Sequence, residues 1–279
     1  MDQIKIEELE IFANHGVYPE ENALGQKFVI SAVLYTDTRP AGKSDDLEQS
    51  VNYGEVSQKI KECIEGHTWK LLESAAEHLA FELLVSFPHV RKIRLEIRKP
   101  WAPVRLPLKT VAVEILRQWH QAYLALGSNM GDKRAHLGRA VELLRETPGC
   151  RVTAVSDFIT TAPYGYLEQD DFLNGCLILD TLLTPEELLE RLHEIEQSEK
   201  RERLIHWGPR TLDLDIIFYD DLVMDTDTLH IPHVEMHKRD FVLKPLAQIA
   251  PWKRHPLSGK TVAQMLEEIS GEETQENGK

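Results

Sequence analysis

Residues 207–218 read WGPRTLDLDIIF. Leu212, Leu214, Ile216 and Phe218 recur at every second position, the pattern of a strand with one buried face. Asp is depleted in strands because it fits a half-buried pleated surface poorly. Yet Asp213 and Asp215 sit inside this one. In a strand, residues i and i+2 face the same side about 6.6 Å apart. The two carboxylates therefore project together from the face opposite the apolar set. That separation can hold two divalent cations that also bind phosphate oxygens, because Mg²⁺ often takes only one or two carboxylates beside substrate phosphates. Two solvated aspartates on an exposed sheet face are the plain alternative, and the spacing alone leaves both open.

The surrounding sequence adds elements and charge. Arg201, Arg203 and Arg210 lie just upstream, and guanidinium forks suit phosphate oxygens. Before them, TPEELLERLHEIEQSE reads as a helix, with Thr184 as N-cap, Pro185 at the first helical position and Glu187 closing a capping box. Still earlier come a strand AYLALGSN, a helix from about Asp132 through Glu146 stopped by Pro148-Gly149, and strands CRVTAVSDFI and FLNGCLILD. The order β-α-β-β-α-β is the ferredoxin-like pattern. Two short helices follow, around 240–249 and 261–269, and the polar end 271–279 reads as a disordered tail.

The first half has another order. IKIEELEIF and KFVISAVLYTD alternate as strands, SVNYGEVSQKIKECIEG and WKLLESAAEHLAFELLVSF have helical spacing, and KIRLEIRK and KTVAVEILRQW alternate again. This β-β-α-α-β-β order makes the chain an α+β fusion of two domains, 1–119 and 120–270, with no flexible linker between them.

Composition limits the chemistry. The chain is 42% hydrophobic and 28% charged, with a net charge of −14. Residues 1–120 carry −3 and residues 121–279 carry −11, so a nucleic-acid partner is not expected. An anionic substrate in the second half would need local Arg, Lys or metal ions. The three cysteines, Cys63, Cys150 and Cys176, have no CxxC spacing and fit a reducing cytoplasm. The start MDQIKIEELEIF lacks an apolar leader. No run approaches the roughly 20 apolar residues that span a bilayer. His230, His233 and His237 have no Cys or acidic partner to complete a regular zinc set.

WGPRTLDLDIIF, AYLALGSNMGD, TTAPYG, DDFLNGCL and IPHVEMHKRDFVLKPLAQIAP together resemble the 6-hydroxymethyl-7,8-dihydropterin pyrophosphokinases of folate synthesis, over about residues 121–270. The resemblance implies transfer of an intact diphosphate from ATP to the pterin hydroxymethyl oxygen, with AMP leaving. It implies two Mg²⁺ held by Asp213 and Asp215, and Arg203 and Arg210 neutralising developing charge. ATP would meet Arg201, Trp207, His233, Arg239 and Glu196. The pterin would meet Thr161, Phe172, Asn174 and Phe241, with Asn174 reading its amide edge. His206 stands where members commonly have Arg, which leaves one phosphate contact weaker or pH-dependent.

PEENALGQ, SVNYGEV, TWKLLESAAEHLA and IRKPWAP resemble dihydroneopterin aldolase over about residues 1–119. That family's tunnelling fold (T-fold) joins subunits edge to edge into barrels, so the resemblance implies a homo-oligomer built through this half. VRLPLKTV, residues 104–111, departs from the glycine-containing loop common there. The resemblance implies that Glu73, beside Leu72, accepts the pterin's paired N–H groups. Lys99 would move protons without forming a Schiff base, Tyr53 would exchange protons with the substrate hydroxyl or the enol intermediate, and Glu21 would orient the substrate. Cleavage would yield glycolaldehyde and 6-hydroxymethyl-7,8-dihydropterin, the substrate of the second half. An epimerase, or an assembly scaffold ahead of an active kinase, remains the alternative for residues 1–119.

Overall fold

The structure, a computed structural model, describes residues 1–162, 170–199 and 211–276, with side chains through residue 270. It divides into two compact units, Met1–Trp119 and His120–Lys279.

The first unit contains β1 (Asp2–Ala13), α1 (Pro19–Leu24), β2 (Gln26–Thr36), α2 (Arg39–Ser44), α3 (Tyr53–Gly66), α4 (Leu72–Ser86), β3 (Lys92–Lys99) and β4 (Val111–Gln118). The strands form one antiparallel sheet in the order β1-β2-β3-β4. Two short helices, α1 and α2, occupy stretches that the sequence suggests are loops. Asn52 caps α3, accepting the N–H groups of Gly54 and Glu55 at 3.0 and 3.4 Å. Such a cap is worth about 1 kcal/mol. It explains why the helix begins at Tyr53 although apolar spacing starts earlier.

Period-two alternation sorts the sheet. Phe28, Ile30 and Leu34 of β2 and Ile93, Leu95 and Ile97 of β3 are fully buried. The helices lie against this sheet, α3 beside β1 and α4 beside β3 and β4. Each buried Leu, Ile or Phe contributes roughly 1.5–3 kcal/mol. Lys92, Arg94, Glu96 and Arg98 alternate with the apolar set and fall on the other face. Arg98 pairs there with Glu8 at 2.9 Å.

The second unit contains β5 (His120–Ser128), α5 (Lys133–Glu146), β6 (Cys150–Val155), β7 (Ile159–Thr161), β8 (Phe172–Thr181), α6 (Pro185–Ser198), β9 (Asp213–Tyr219), the short strands β10 (Met224–Asp225) and β11 (His230–Ile231), α7 (Asp240–Ile249) and α8 (Val262–Glu276). The main sheet runs β6-β8-β5-β9, with β7 also pairing β8. With β6 and β7 counted as one interrupted strand, this is the βαββαβ order. Thr184 and Glu187 form the capping box, with bonds of 3.3 and 2.8 Å. Asp132 caps α5 through the N–H of Ala135. One sheet face and its helices bury Leu124, Leu137, Leu177, Leu192, Leu214 and Ile216 together. The opposite face buries Tyr123, Cys176, Phe218, Val242 and Leu246 together.

Three expectations change. First, CRVTAVSDFI is two strands. Ser156 interrupts the ladder: its N–H donates to the Cys176 carbonyl, and its Oγ accepts the Cys176 N–H, both at 2.9 Å. Second, Phe218 does not share a face with Leu214 and Ile216. Tyr123 pairs Phe218 while Leu124 pairs Ile216, so Ile217 is an extra residue in β9 and reverses the alternation beyond it. Third, the backbone stays helical through Glu276 rather than turning disordered at 271. Glu272, Glu273, Gln275 and Glu276 are good helix formers, and no proline stops them. Among the described residues, no helix is long and apolar enough to cross a membrane.

Candidate active sites

In the first unit, the parity that turns Ile93, Leu95 and Ile97 inward also turns Lys99 inward at the end of β3, leaving it 8% exposed. Its Nζ donates to Glu21 Oε1 at 2.5 Å and to the His15 carbonyl at 3.2 Å. Glu21 is held from α1. Its Oε2 accepts the Tyr18 N–H at 3.1 Å, and its Oε1 accepts from Gln26 Nε2 at 3.3 Å. Burial pushes the Glu21 carboxyl up, but the bonds from Lys99 and Tyr18 outweigh it and hold it below the ordinary 4.5. Gly16 makes the approach possible, since a Cβ there would stand 2.3 Å from Glu21 Oε2.

His15 ties this pair to the start of α4. Its Nδ1 accepts the Trp69 N–H at 3.3 Å, and the neighbouring Gly16 N–H donates to the Trp69 carbonyl at 3.0 Å. Burial first, then the Lys99 charge, lowers its pKa to about 4, so the ring is neutral at pH 7. Leu72 and Glu73 open α4, Leu72 half-buried and Glu73 exposed. Tyr53 opens α3 and is 67% exposed. Thus the fold joins Lys99 to Glu21, while Tyr53 and Glu73 present themselves to solvent at two helix N-termini. The Lys99–Glu21 and His15 contacts span 78 or more residues of chain, and no local pattern announces them.

In the second unit, three adjacent strands each present an i, i+2 pair to one cavity: Ala125 and Gly127, Phe172 and Asn174, Asp213 and Asp215. Register aligns them, because Gly127 stands opposite both Asn174 and Asp213, and Ala125 opposite Asp215. Thr161 comes from β7, and Arg239 and Phe241 from the approach to α7 and its first turn. The space is about 800 Å³, part of it open to solvent. Asn174 is buried, and its Nδ2 donates to Thr161 Oγ1 at 2.7 Å. That bond fixes which end of the amide faces which neighbour.

Arg239 lies 5.8 Å over the Phe241 ring and donates to Glu235 Oε2 at 2.7 Å. The hydrogen bond and charge of Arg239 hold the Glu235 carboxyl below its usual range. His233 is anchored by its N–H to the Ile217 carbonyl at 3.0 Å, and its Nδ1 accepts the Glu235 N–H at 3.3 Å. Burial first, then Arg239, lowers its pKa to about 4. The neutral ring therefore carries its proton on Nε2, as a donor. Glu235, whose backbone and carboxylate hold His233 and Arg239 in turn, has no distinguishing mark in the sequence.

Glu196, an expected ATP contact, lies near the C-terminal end of α6. It is 2% exposed, and its Oε1 accepts the Leu214 N–H at 2.9 Å. Strand β9 is an edge of its sheet, so this carboxylate occupies a backbone donor that β5 leaves unpaired. Arg201, Arg203, His206, Trp207 and Arg210 lie outside the described residues.

The donor set of Asp213 and Asp215 fits Mg²⁺. Among the described residues, no third His, Cys, Asp or Glu joins them in a group able to hold a metal. Two oxygen ligands suit a cation that completes its shell with water and substrate phosphates.

Comparison with known proteins follows the two units. Residues 4–116 match the family model for dihydroneopterin aldolase, and residues 123–251 the model for 7,8-dihydro-6-hydroxymethylpterin-pyrophosphokinase. A 2-amino-4-hydroxy-6-hydroxymethyldihydropteridine pyrophosphokinase from Methylorubrum extorquens is 45% identical over 149 residues, which cover 53% of this chain and 93% of that one. A Dictyostelium discoideum folic acid synthesis protein is 31% identical over 92% of this chain and 43% of its own length. The solved E. coli dihydroneopterin aldolase in complex with neopterin is 33% identical, covering 42% of this chain and 99% of that one, with a TM-score of 0.40. The chain spans 36% to 43% of the length of the multidomain relatives that it matches. The chain thus belongs to the pyrophosphokinase family through its second unit, behind a first unit that matches the family model for dihydroneopterin aldolase.

Proposed function

We propose that this chain catalyses two successive steps of folate synthesis. Residues 1–119 cleave 7,8-dihydroneopterin to glycolaldehyde and 6-hydroxymethyl-7,8-dihydropterin. Residues 120–270 then transfer diphosphate from ATP to that product. The observation that carries the reading is the single cavity floored by three parallel pairs, Phe172 with Asn174 at one side and Asp213 with Asp215 at the other. A ring site and a phosphate site share one floor.

In the first unit, Tyr53 takes the proton of the substrate's second side-chain hydroxyl as it passes its own to water. The carbon–carbon bond beside it breaks, and its electron pair moves into the pterin C=N. Lys99, held by Glu21 and the His15 carbonyl, delivers a proton through water to the first side-chain carbon. Glu73 accepts the ring's paired N–H groups. Tyr53 and Lys99 act together across a boundary between copies of this chain, so the unit works as a homo-oligomer.

In the second unit, Phe172 and Phe241 hold the ring and Asn174 orients it. The hydroxymethyl oxygen attacks the β-phosphorus of ATP, the bond to the α-phosphate oxygen breaks, and AMP leaves. Asp213 and Asp215 would hold Mg²⁺, which when bound would supply charge neutralisation on the phosphate oxygens. Arg203, Arg210 and Arg239 add positive charge, Arg201, Trp207 and His233 position the nucleotide, and positioning carries the rate. The cytoplasm suits this reading, with all three cysteines unpaired.

The test incubates the purified chain with dihydroneopterin, ATP and Mg²⁺ and follows glycolaldehyde and AMP separately. Both should form. AMP from supplied 6-hydroxymethyl-7,8-dihydropterin without any glycolaldehyde from dihydroneopterin would reduce the first unit to a scaffold.

A further inference from the structure

The centre of the second cavity is a glycine that the mechanism above does not use. Gly127 lies in β5, an interior strand, paired on one side with Asn174 and on the other with Asp213. Glycine in a strand interior is unfavourable by roughly 0.5–1 kcal/mol relative to Ala, and there it often marks the close approach of a ligand. Its backbone is regular strand, so an L side chain could adopt it, and conformation does not demand glycine. Space does. A Cβ at Gly127 would stand 3.0 Å from Asn174 Oδ1 and 4.0 Å from the Asp213 Cβ. It would fill the gap between the amide that reads the ring and the carboxylate that serves the phosphates. Asn174 cannot easily yield, because Thr161 holds its Nδ2 at 2.7 Å. The next residue of β5 on that face is Ala125, opposite Asp215, so the whole floor between β8 and β9 is kept low.

We propose that Gly127 is a specificity-determining residue: its missing side chain is the slot in which a flat, amide-edged heterocycle lies flush on β5. In that slot the ring's edge meets Asn174 Oδ1 while its substituent reaches Asp213 and Asp215. The ligand class is a planar bicycle with an N–H donor edge and a short hydroxylated arm. This rests on the pyrophosphokinase reading of the unit.

The experiment uses the full chain. In Gly127→Ala, the KM for 6-hydroxymethyl-7,8-dihydropterin should rise roughly tenfold or more, the usual scale for one intruding carbon in a tight pocket. The KM for ATP should stay near wild type. A general folding defect would instead weaken both substrates together and lower the melting temperature. If Gly127→Ala does not fold, the double variant Gly127→Ala/Asn174→Ser removes the 3.0 Å encounter. Compared with Asn174→Ser alone, it should still bind the pterin about tenfold more weakly. Unchanged pterin KM in the single variant, equal affinities in the second comparison, or a parallel loss of ATP and pterin affinity would overturn the inference. Failure of the wild-type chain to form AMP would sink the pyrophosphokinase reading itself, whereas normal AMP kinetics in Gly127→Ala would sink only the slot.

Discussion

Replacing Glu21 by Gln keeps the shape of the first site and removes one charge from a close ion pair. The Lys99 and Glu21 side chains are 10% and 9% exposed, with Nζ and Oε1 2.5 Å apart. At an effective dielectric of about 20, their direct attraction is about 6–7 kcal/mol. Desolvation of both groups offsets much of that, so the pair's net worth is small. Removing one partner is different, because it strands the other charge, and that costs about 3–5 kcal/mol. For a unit of this size, about 3 kcal/mol lowers the melting temperature by roughly 10–20 °C. The assay is a double-mutant cycle of Glu21→Gln, Lys99→Met and both, read by calorimetry of the full chain. Each single variant should lose about 3 kcal/mol, and the double variant should lose less than the sum by about 2–3 kcal/mol. The pH dependence follows from the carboxyl being held below 4.5. Its stabilisation is fully present above that value and disappears as pH falls through the lower folded value. The gap between wild type and Glu21→Gln should therefore narrow in acid. Additive losses, or a gap constant through the acid range, would refute the pairing argument.

Asp213→Ala or Asp215→Ala should abolish AMP formation and leave glycolaldehyde release nearly intact; near-normal AMP formation with Mg²⁺ would remove the metal role. Lys99→Ala should stop aldol cleavage while AMP still forms from supplied 6-hydroxymethyl-7,8-dihydropterin, and borohydride trapping of a substrate adduct on wild-type Lys99 would establish a Schiff base instead. By sedimentation, residues 1–119 should remain oligomeric and residues 121–279 should run as a monomer that still transfers diphosphate; a monomeric, active aldolase fragment would dispose of the shared-site model. Asn52→Ala should lower the stability of the first unit by about 1 kcal/mol through its two lost capping bonds, which denaturant titration would detect as a lower midpoint at unchanged slope.

What could be read from sequence was local and periodic. The capping box at Thr184 and Glu187, the cap at Asp132, and the shared face of Asp213 and Asp215 follow from spacings of two to four residues. The misreadings came from events that spacing does not encode. Ile217 slips into β9 as an extra residue and carries Phe218 to the other layer, although the run IIF gives no sign of it. Glu196 looks like any polar residue near an arginine-rich loop, and nothing local announces its bond to the Leu214 N–H on the open edge of β9. The contact of Lys99 with Glu21 depends on sheet parity at one end and on the loop at Gly16 at the other. Neither position carries the information alone.

The Leu214 N–H lies between Asp213 and Asp215 along the strand, and Glu196 grips it from the side. A strand edge without such a grip can slide along its neighbour, and a slide of one residue exchanges the two faces of everything on it. Here that exchange would drive both aspartates into the layer that holds Leu124, Leu137 and Leu188 and turn Leu214 into the cavity. A slip of one residue keeps neither carboxylate in place, because the two have the same parity. The second site therefore depends on the parity of register, and a slip of two residues would restore the face but leave only one carboxylate in the site. A misfolded copy would be silent rather than sluggish, and a purified sample's specific activity would count correctly registered molecules.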